Sequence, residues 1–197
     1  MICGIDEAGR GPLAGPVCAA AVVLPPEFPV NILNDSKKLS AAKREAARRL
    51  IVECAVAWGI GWASHEEIDA INILQASLLA MRRAFEAMLL ARKGPSPLIT
   101  AADIQEAIVD GNVTPAISVP CRALVKADSL VPEVMAASIL AKTARDAEML
   151  RYAALYPEYG YDKHKGYPTK EHYAKIAAFG SSPIQRASFQ HRLRVDW

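Results

Sequence analysis

The stretch Gly4-Ile5-Asp6-Glu7-Ala8-Gly9-Arg10-Gly11-Pro12-Leu13-Ala14-Gly15-Pro16 constrains this chain more than any other. Ile2 to Ile5 is a short apolar run, predicted to form a buried strand. Two carboxylates follow side by side, and then a loop rich in glycine and proline with one arginine. Gly9, Gly11 and Gly15 let the backbone turn tightly and approach a ligand closely, while Pro12 and Pro16 stiffen it. Strand side chains alternate between faces, so Asp6 and Glu7 share a site only where the strand is ending. Two anions beside Arg10 suit a hard divalent cation bound through oxygen. An exposed turn with solvated acids is the plainer alternative.

Behind this opening the chain alternates strand and helix patterns, which predicts an α/β fold. Val17 to Leu24 is a second strand, antiparallel to the first across the loop. After a loop from Pro25 to Leu39, Ser40 is a plausible cap for a helix over 41–57. Trp58 to Ala63 is a short strand. Ser64 and Glu67 match a capping box, and Ile68, Ile71, Leu74, Leu78, Met81, Phe85 and Met88 recur at helical steps as a core stripe. Asp69 and Asn72 are placed to bend or break that helix. Residues 93–97 are a loop, and Ala101 to Glu106 allow one helical turn. Ala107 to Asn112 is a short strand ending at Asp110, and Ala116 to Val119 and Ala123 to Val125 are predicted as two more. The last of these runs into Lys126-Ala127-Asp128-Ser129. Pro132 suits the first turn of a helix reaching about Tyr156. Thr169 caps a final helix over 170–179, closed by Gly180.

Composition bounds the function. With 197 residues, 52% apolar and 22% charged, the chain supports one good core. The expectation is one domain over 1–197, its core spanning about 1–155 and a helical region about 156–197, which the resemblance named below implies to be a catalytic domain and its substrate-recognition region. No apolar run is long enough to span a bilayer, and no signal-peptide pattern opens the chain. Cys3, Cys18, Cys54 and Cys121 form no Cys-x-x-Cys pair. Free thiols in a reducing cytoplasm are therefore expected, not a zinc site. The net charge of +2 says little about partners. From Asp162 onward, however, seven Lys or Arg stand against three acids. A basic region beside an acidic site fits a phosphate-rich substrate, though it equally fits an ordinary solvated face.

Three predicted strands thus end in carboxylates: Asp6 with Glu7, Asp110, and Asp128. In α/β folds sites gather where strand ends meet loops. If these strands are neighbours, four acids converge, and they stay ionised together only with compensating cations. An all-oxygen set suits Mg²⁺ or Mn²⁺ better than Zn²⁺. Two such ions, about 3.5–4 Å apart, clamp the attacking and leaving oxygens of phosphoryl transfer. Taken singly, Asp110 is also explained as a turn residue and Asp128 as a helix cap.

Six separated segments resemble, in order, those of ribonuclease HII, a type 2 ribonuclease H. They are Asp6-Glu7-Ala8-Gly9-Arg10-Gly11-Pro12, Asp35-Ser36-Lys37-Lys38-Leu39, and Glu67 to Leu74. The others are Val109-Asp110-Gly111-Asn112 with Lys126-Ala127-Asp128, Ala136 to Lys142, and Lys163 to His172. The resemblance implies a ribonuclease H-like fold: a mixed sheet flanked by helices, with a small helical C-terminal region. It implies hydrolysis of the RNA strand of RNA–DNA hybrids. It also implies incision 5′ of single ribonucleotides in duplex DNA, as in ribonucleotide excision repair, leaving 3′-hydroxyl and 5′-phosphate ends. By that likeness Asp6, Glu7, Asp110 and Asp128 hold two Mg²⁺ or Mn²⁺ ions. Gly9, Arg10 and Gly11 read the ribose 2′-hydroxyl and its phosphate, and Tyr167 packs on the following nucleotide. Lys37, Ser138 and Lys142 are weaker candidates for supporting contacts.

The run Ile99 to Ala107 departs from the family pattern. The segment from Gln185 to Gln190 resembles its Arg-Ser-Phe ending loosely and is assigned no catalytic role. Competing readings are a ribonuclease HIII-like nuclease, which usually has Lys at the place of Arg10 and an extra N-terminal domain, and a catalytically silent hybrid-binding protein. Gly9-Arg10-Gly11 does not match either glycine-rich phosphate loop. No segment is readable as a docking motif for a sliding clamp or another repair partner, and the default expectation is a monomer.

Overall fold

The computed structural model describes residues 1–33, 39–91 and 99–189. Five strands form one mixed sheet: β1 (Ile2–Ala8), β2 (Val17–Val23), β3 (Ala57–Ala63), β4 (Glu106–Asp110) and β5 (Cys121–Leu124), in spatial order β3-β2-β1-β4-β5. β1 pairs antiparallel with β2 and parallel with β4, so it is the central strand where the sheet changes direction. The helices are α1 (Ala41–Cys54), α2 (His65–Leu90), α3 (Pro132–Leu155), the single turn α4 (Tyr161–His164) and α5 (Lys170–Phe179). This is the mixed sheet flanked by helices that the sequence predicts.

The sheet is covered on both faces. Cys3, Ile5, Ala19, Ala21, Ala107 and Val109 pack against Ala76, Ala80, Ala84, Phe85 and Met88 of α2. Ala20 and Val22 pack on the other face against α1 and α3, through Ile51, Ala137, Ile139 and Leu140. β2 is buried at every position, and its sequence of Val, Cys and Ala leaves room for helices on both sides. α2 lies unusually close to β3. A Cβ built on Gly61 would sit 2.1 Å from the Ala80 carbonyl oxygen, so only glycine permits this approach.

Four differences from the expectation have local causes. β1 runs on through Asp6 and Glu7, because Asp6 pairs with Ala20, Glu7 with Ala19 and Ala8 with Cys18 of β2. α2 breaks at Asn72, as expected, but the core stripe beyond the break differs; the φ of Asn72 is 68° and its ψ 165°. The Asn72 side chain accepts from the amides of Leu74 (3.0 Å) and Gln75 (3.1 Å), restarting the helix as an N-cap would. The restart shifts the phase, so Ile71 is exposed, and Ala76, Ala80 and Ala84 join the expected Ile68, Met81, Phe85 and Met88 in the core. Ala116 to Val119 is not a strand. Asp128 does not end β5; it stands four residues beyond it, in a 3₁₀ turn over Ala127–Ser129 that feeds α3.

The C-terminal region docks on the loop between β1 and β2. Ala14 forms a β-bridge with Gln185, Leu13 N–H donates to Gly166 O (2.8 Å) and Gly15 N–H to Ile184 O (2.9 Å). A small cluster of Ala14, Met149, Tyr159, Tyr161 and Ile184 fills the junction.

Candidate active site

The parallel register that sets Ile5 beside Val109 places Asp6 next to Asp110, the last residue of β4. Gly4, Asp6, Ile108 and Asp110 share the sheet face covered by α3. Asp6 is buried, accepts from the Glu7 amide (2.7 Å), and receives a hydrogen bond from Ser138 of α3. Burial raises the Asp6 carboxyl well above the usual range, and the charges of Glu7 and Asp110 raise it further; Ser138 opposes them. Burial also raises Glu7, and Asp110 adds to this, while Arg10 pulls down through an ion pair of 3.4 Å. Three acids therefore sense one another at the end of β1 and β4.

Their donor chemistry fits a hard divalent cation, since every ligand on offer is a carboxylate oxygen. The present spacing is not that of a closed coordination shell. Among the described residues, no three Asp, Glu, His or Cys side chains stand close enough to hold one ion. Asp128 lies in the turn before α3, at the exit of the strand paired with Asp110 through Leu124.

The loop above these acids is held from within. Gly9 has a φ of 103°, and a Cβ there would lie 2.1 Å from Arg145 Nε. Arg145 is buried in α3 and donates to Pro16 O (2.9 Å), Ala14 O (3.2 Å) and Lys165 O (3.1 Å). Arg186 is fully buried and donates to the carbonyls of Gly9 (2.7 Å), Arg10 (3.1 Å), Pro12 (2.8 Å), Gly15 (2.9 Å) and Pro16 (3.2 Å). A trans peptide sets its C=O and N–H on opposite sides. Holding the Gly9 and Arg10 carbonyls inward therefore turns the Arg10 and Gly11 N–H groups away from Arg186. Among the described residues neither N–H donates to another backbone carbonyl.

Tyr167 stands beside this loop, 38% exposed, with its ring 3.7 Å from a Cβ placed on Gly11. Lys142 Nζ and the Arg145 guanidinium lie 5.8 and 5.9 Å from the ring centroid. Lys142 is also paired with Asp146 at 2.8 Å. The Tyr167 backbone is fixed at both ends. Its N–H donates to His164 O (2.9 Å), and its carbonyl accepts from His172 Nδ1 (3.0 Å). The two imidazoles stack at 4.4 Å. Gly166 N–H donates to His164 Nδ1 (3.2 Å), so Nε2 carries the proton given to Tyr159 O (2.9 Å).

Asp6, Glu7, Asp110, Gly9, Arg10, Gly11, Ser138, Lys142 and Tyr167 thus gather at one end of the sheet, with Asp128 on the adjoining turn. Lys37 lies outside the described residues. The sequence reading missed Arg145, Arg186, Asp69 and the two histidines. Arg145 leaves a trace: it falls between Ala141 and Met149 on the apolar face of α3, where a cation needs a buried partner. Arg186 leaves only the loose Arg-Ser-Phe resemblance of its segment, because the groups that its guanidinium donates to are backbone carbonyls far away in sequence.

The sequence profile of the family described as ribonuclease HII matches residues 3–194. The ribonuclease HII of Treponema denticola is 59% identical over 193 residues, covering 96% of this chain and 98% of that protein. That of Dechloromonas aromatica is 53% identical over 189 residues, covering 96% and 90%. Among solved structures, the ribonuclease HII of Archaeoglobus fulgidus, determined in complex with PCNA, superposes with a TM-score of 0.75 at 26% identity, covering 100% of this chain and 98% of that one.

Proposed function

The chain belongs to the ribonuclease HII family, and from that premise we propose that it incises 5′ of lone ribonucleotides in duplex DNA as well as cleaving the RNA strand of RNA–DNA hybrids. Hybrid-cleaving endonuclease activity is that of the family; the lone-ribonucleotide substrate and the residue roles are our reading. One observation carries it. Asp6, Glu7 and Asp110 raise one another's carboxyls at the strand ends that lead into the Gly9–Gly11 loop, and Tyr167 stands against Gly11.

Asp6, Glu7, Asp110 and Asp128 are the residues that would hold the divalent ions on which the family depends. Bound there, Mg²⁺ or Mn²⁺ would polarise the scissile phosphate and supply the activated water. The chain itself supplies recognition. A lone ribose differs from its neighbours only by a 2′-hydroxyl, which both donates and accepts. The outward Arg10 and Gly11 N–H groups offer donors to it and to the adjacent phosphate, and the half-exposed Arg10 side chain offers charge. Tyr167 offers a ring on which the next nucleotide packs. Ser138 holds Asp6 in place from α3, and Lys142 sets a cation near Tyr167. The PCNA complex of the A. fulgidus relative supports a sliding clamp as a partner for this chain too. No described helix is long and apolar enough to cross a membrane.

An end-labelled DNA duplex carrying one ribonucleotide tests the reading, incubated with Mg²⁺, with Mn²⁺ and with chelator, beside Asp6→Asn. One metal-dependent cut 5′ of the ribonucleotide, lost in the variant, is expected. Cutting confined to continuous RNA would remove the lone-ribonucleotide substrate, and binding without cutting under either metal would remove the catalytic roles of the acids.

A further inference from the structure

We propose that Arg186, seated by Asp69, is a positioning residue that sets the shape of the Gly9–Gly11 loop and thereby the preference for a lone ribonucleotide. The proposal rests on the functional reading above and assigns it a residue that never touches substrate.

The argument begins with the carbonyls. Those of Gly9, Arg10, Pro12, Gly15 and Pro16 converge on one point inside the protein. Five aligned acceptors around a dry space repel one another and each lose a hydrogen bond to water. The loop holds that shape only around a matching donor. A guanidinium has five N–H groups in a rigid planar fork, whereas a lysine ammonium has three on a flexible stem. Arg145 supports the base of the same loop through Ala14 and Pro16. The Gly9 and Arg10 carbonyls, whose inward direction turns the two recognition amides outward, are held by Arg186.

The backbone of Arg186 is fixed in turn. Its N–H donates to Leu13 O (2.9 Å). Asp69 Oδ2 accepts from the Ala187 amide (2.7 Å), and Oδ1 accepts from the Ser188 amide (2.9 Å) and hydroxyl. Burial draws the Asp69 carboxyl upward, but the bonds from Ser188 and Ala187 outweigh it and keep it below its ordinary value. Asp69 sits in the short first segment of α2, three residues before the break at Asn72. A chain of direct contacts therefore runs from α2 through residues 186–188 to the loop that faces the substrate.

The two substrates place different demands on that loop. A continuous RNA strand offers many 2′-hydroxyls to the surrounding surface, whereas a lone ribonucleotide offers one. Loss of loop shape should therefore weigh most on the single-ribonucleotide duplex.

The test uses the full chain as wild type, R186K, R186Q and D69N. For each, kcat/KM is measured with Mn²⁺ on a duplex with one ribonucleotide and on a continuous RNA–DNA hybrid, beside thermal unfolding. R186Q is expected to lose about 10²-fold on the single-ribonucleotide duplex, the scale of a misplaced reading group, and about tenfold less on the hybrid. R186K should fall between R186Q and wild type, and D69N should shift the ratio the same way by a smaller factor. An equal loss on both substrates that follows the unfolded fraction would overturn the proposal. If the Arg186 variants do not fold, D69N decides: a ratio equal to wild type overturns it. A wild-type protein that cuts neither substrate would instead remove the functional reading, and this proposal with it.

Discussion

At the scale of single residues, the site combines groups chosen for charge with groups chosen for shape. Tyr167 belongs to the second kind. Its ring lies over Gly11, so Tyr167→Phe keeps the packing surface and should change kcat/KM on a single-ribonucleotide duplex less than about threefold. Tyr167→Ala removes the ring and should reduce it about 10²-fold, in line with base stacking of about 1–3 kcal/mol. Steady-state rates on that duplex decide. His172 holds the Tyr167 carbonyl as a neutral ring. Burial lowers it from 6.5 to about 4 against the Tyr167 bond, which acts the other way. The unfolded chain therefore takes up the proton first as pH falls. The stability carried by the neutral ring is complete above about 6.5 and is lost between there and about 4. At about 1.4 kcal/mol per unit, on the order of 3–4 kcal/mol is at stake over the whole span, of which about 2–3 kcal/mol falls between pH 7 and pH 4.5. Urea unfolding at pH 7 and pH 4.5 should show that loss in wild type and much less of it in His172→Asn. Acids and glycines were legible in the sequence because their chemistry is local. The role of Arg186 was not, although its segment loosely resembled a family ending, because a cation solvated by distant carbonyls has no partner residue type to look for.

At the scale of elements, α2 shows how a sequence pattern fixes the outline of a helix but not its phase. Ser64 and Glu67 form the expected capping box, with Glu67 Oε2 accepting from the Ser64 amide (2.9 Å) and Ser64 Oγ from the Glu67 amide (3.2 Å). The helix axis was thus anchored correctly at its start. Periodicity alone then carried Ile71 and Leu74 into the stripe, although Asn72 resets the turn between them. The strand predicted over Ala116 to Val119 failed for a related reason: a short apolar run does not specify a ladder partner. The alanine and glycine content of the α2–β3 contact was legible only as composition, yet it fixes the approach of the two backbones. Gly61→Ala brings a Cβ to 2.1 Å from Ala80 O and 2.3 Å from Ala84 N, both backbone atoms that cannot step aside. We expect a loss of about 3 kcal/mol, or failure to fold, measured by urea denaturation. Gly11→Ala is the contrast. Its Cβ meets only the Tyr167 ring at 3.7 Å, an ordinary contact. It should leave stability within about 1 kcal/mol of wild type while impairing cleavage.

At the scale of the whole molecule, the sheet and the C-terminal region are joined through the loop that both need. Residues 9–16 connect β1 to β2, the antiparallel pair at the centre of the sheet. The same residues are bound by Gly166, Ile184, Gln185 and Arg186 from the far end of the chain. Arg145 reaches from α3 to both Pro16 and Lys165. Releasing the C-terminal region would therefore strip the Gly9, Arg10, Pro12, Leu13 and Gly15 carbonyls of their donors and expose Ala14, Met149 and Ile184. Neither part is placed to open alone without the other losing buried hydrogen bonds, which is the condition for all-or-none unfolding. The chromophores separate the two parts. Five of the six tyrosines lie between residues 156 and 173 and the sixth, Tyr152, in the last turn of α3, while Trp58 and Trp62 lie in β3 and the third tryptophan is Trp197. In a Trp197→Phe protein, tryptophan fluorescence reports the sheet, and near-ultraviolet tyrosine dichroism reports the C-terminal region. We expect the two urea transitions to coincide, as for one catalytic domain over the whole chain. A tyrosine transition at lower urea would mean that the region carrying Tyr167 docks on a sheet that is stable without it, and that the recognition loop is ordered only while it is docked.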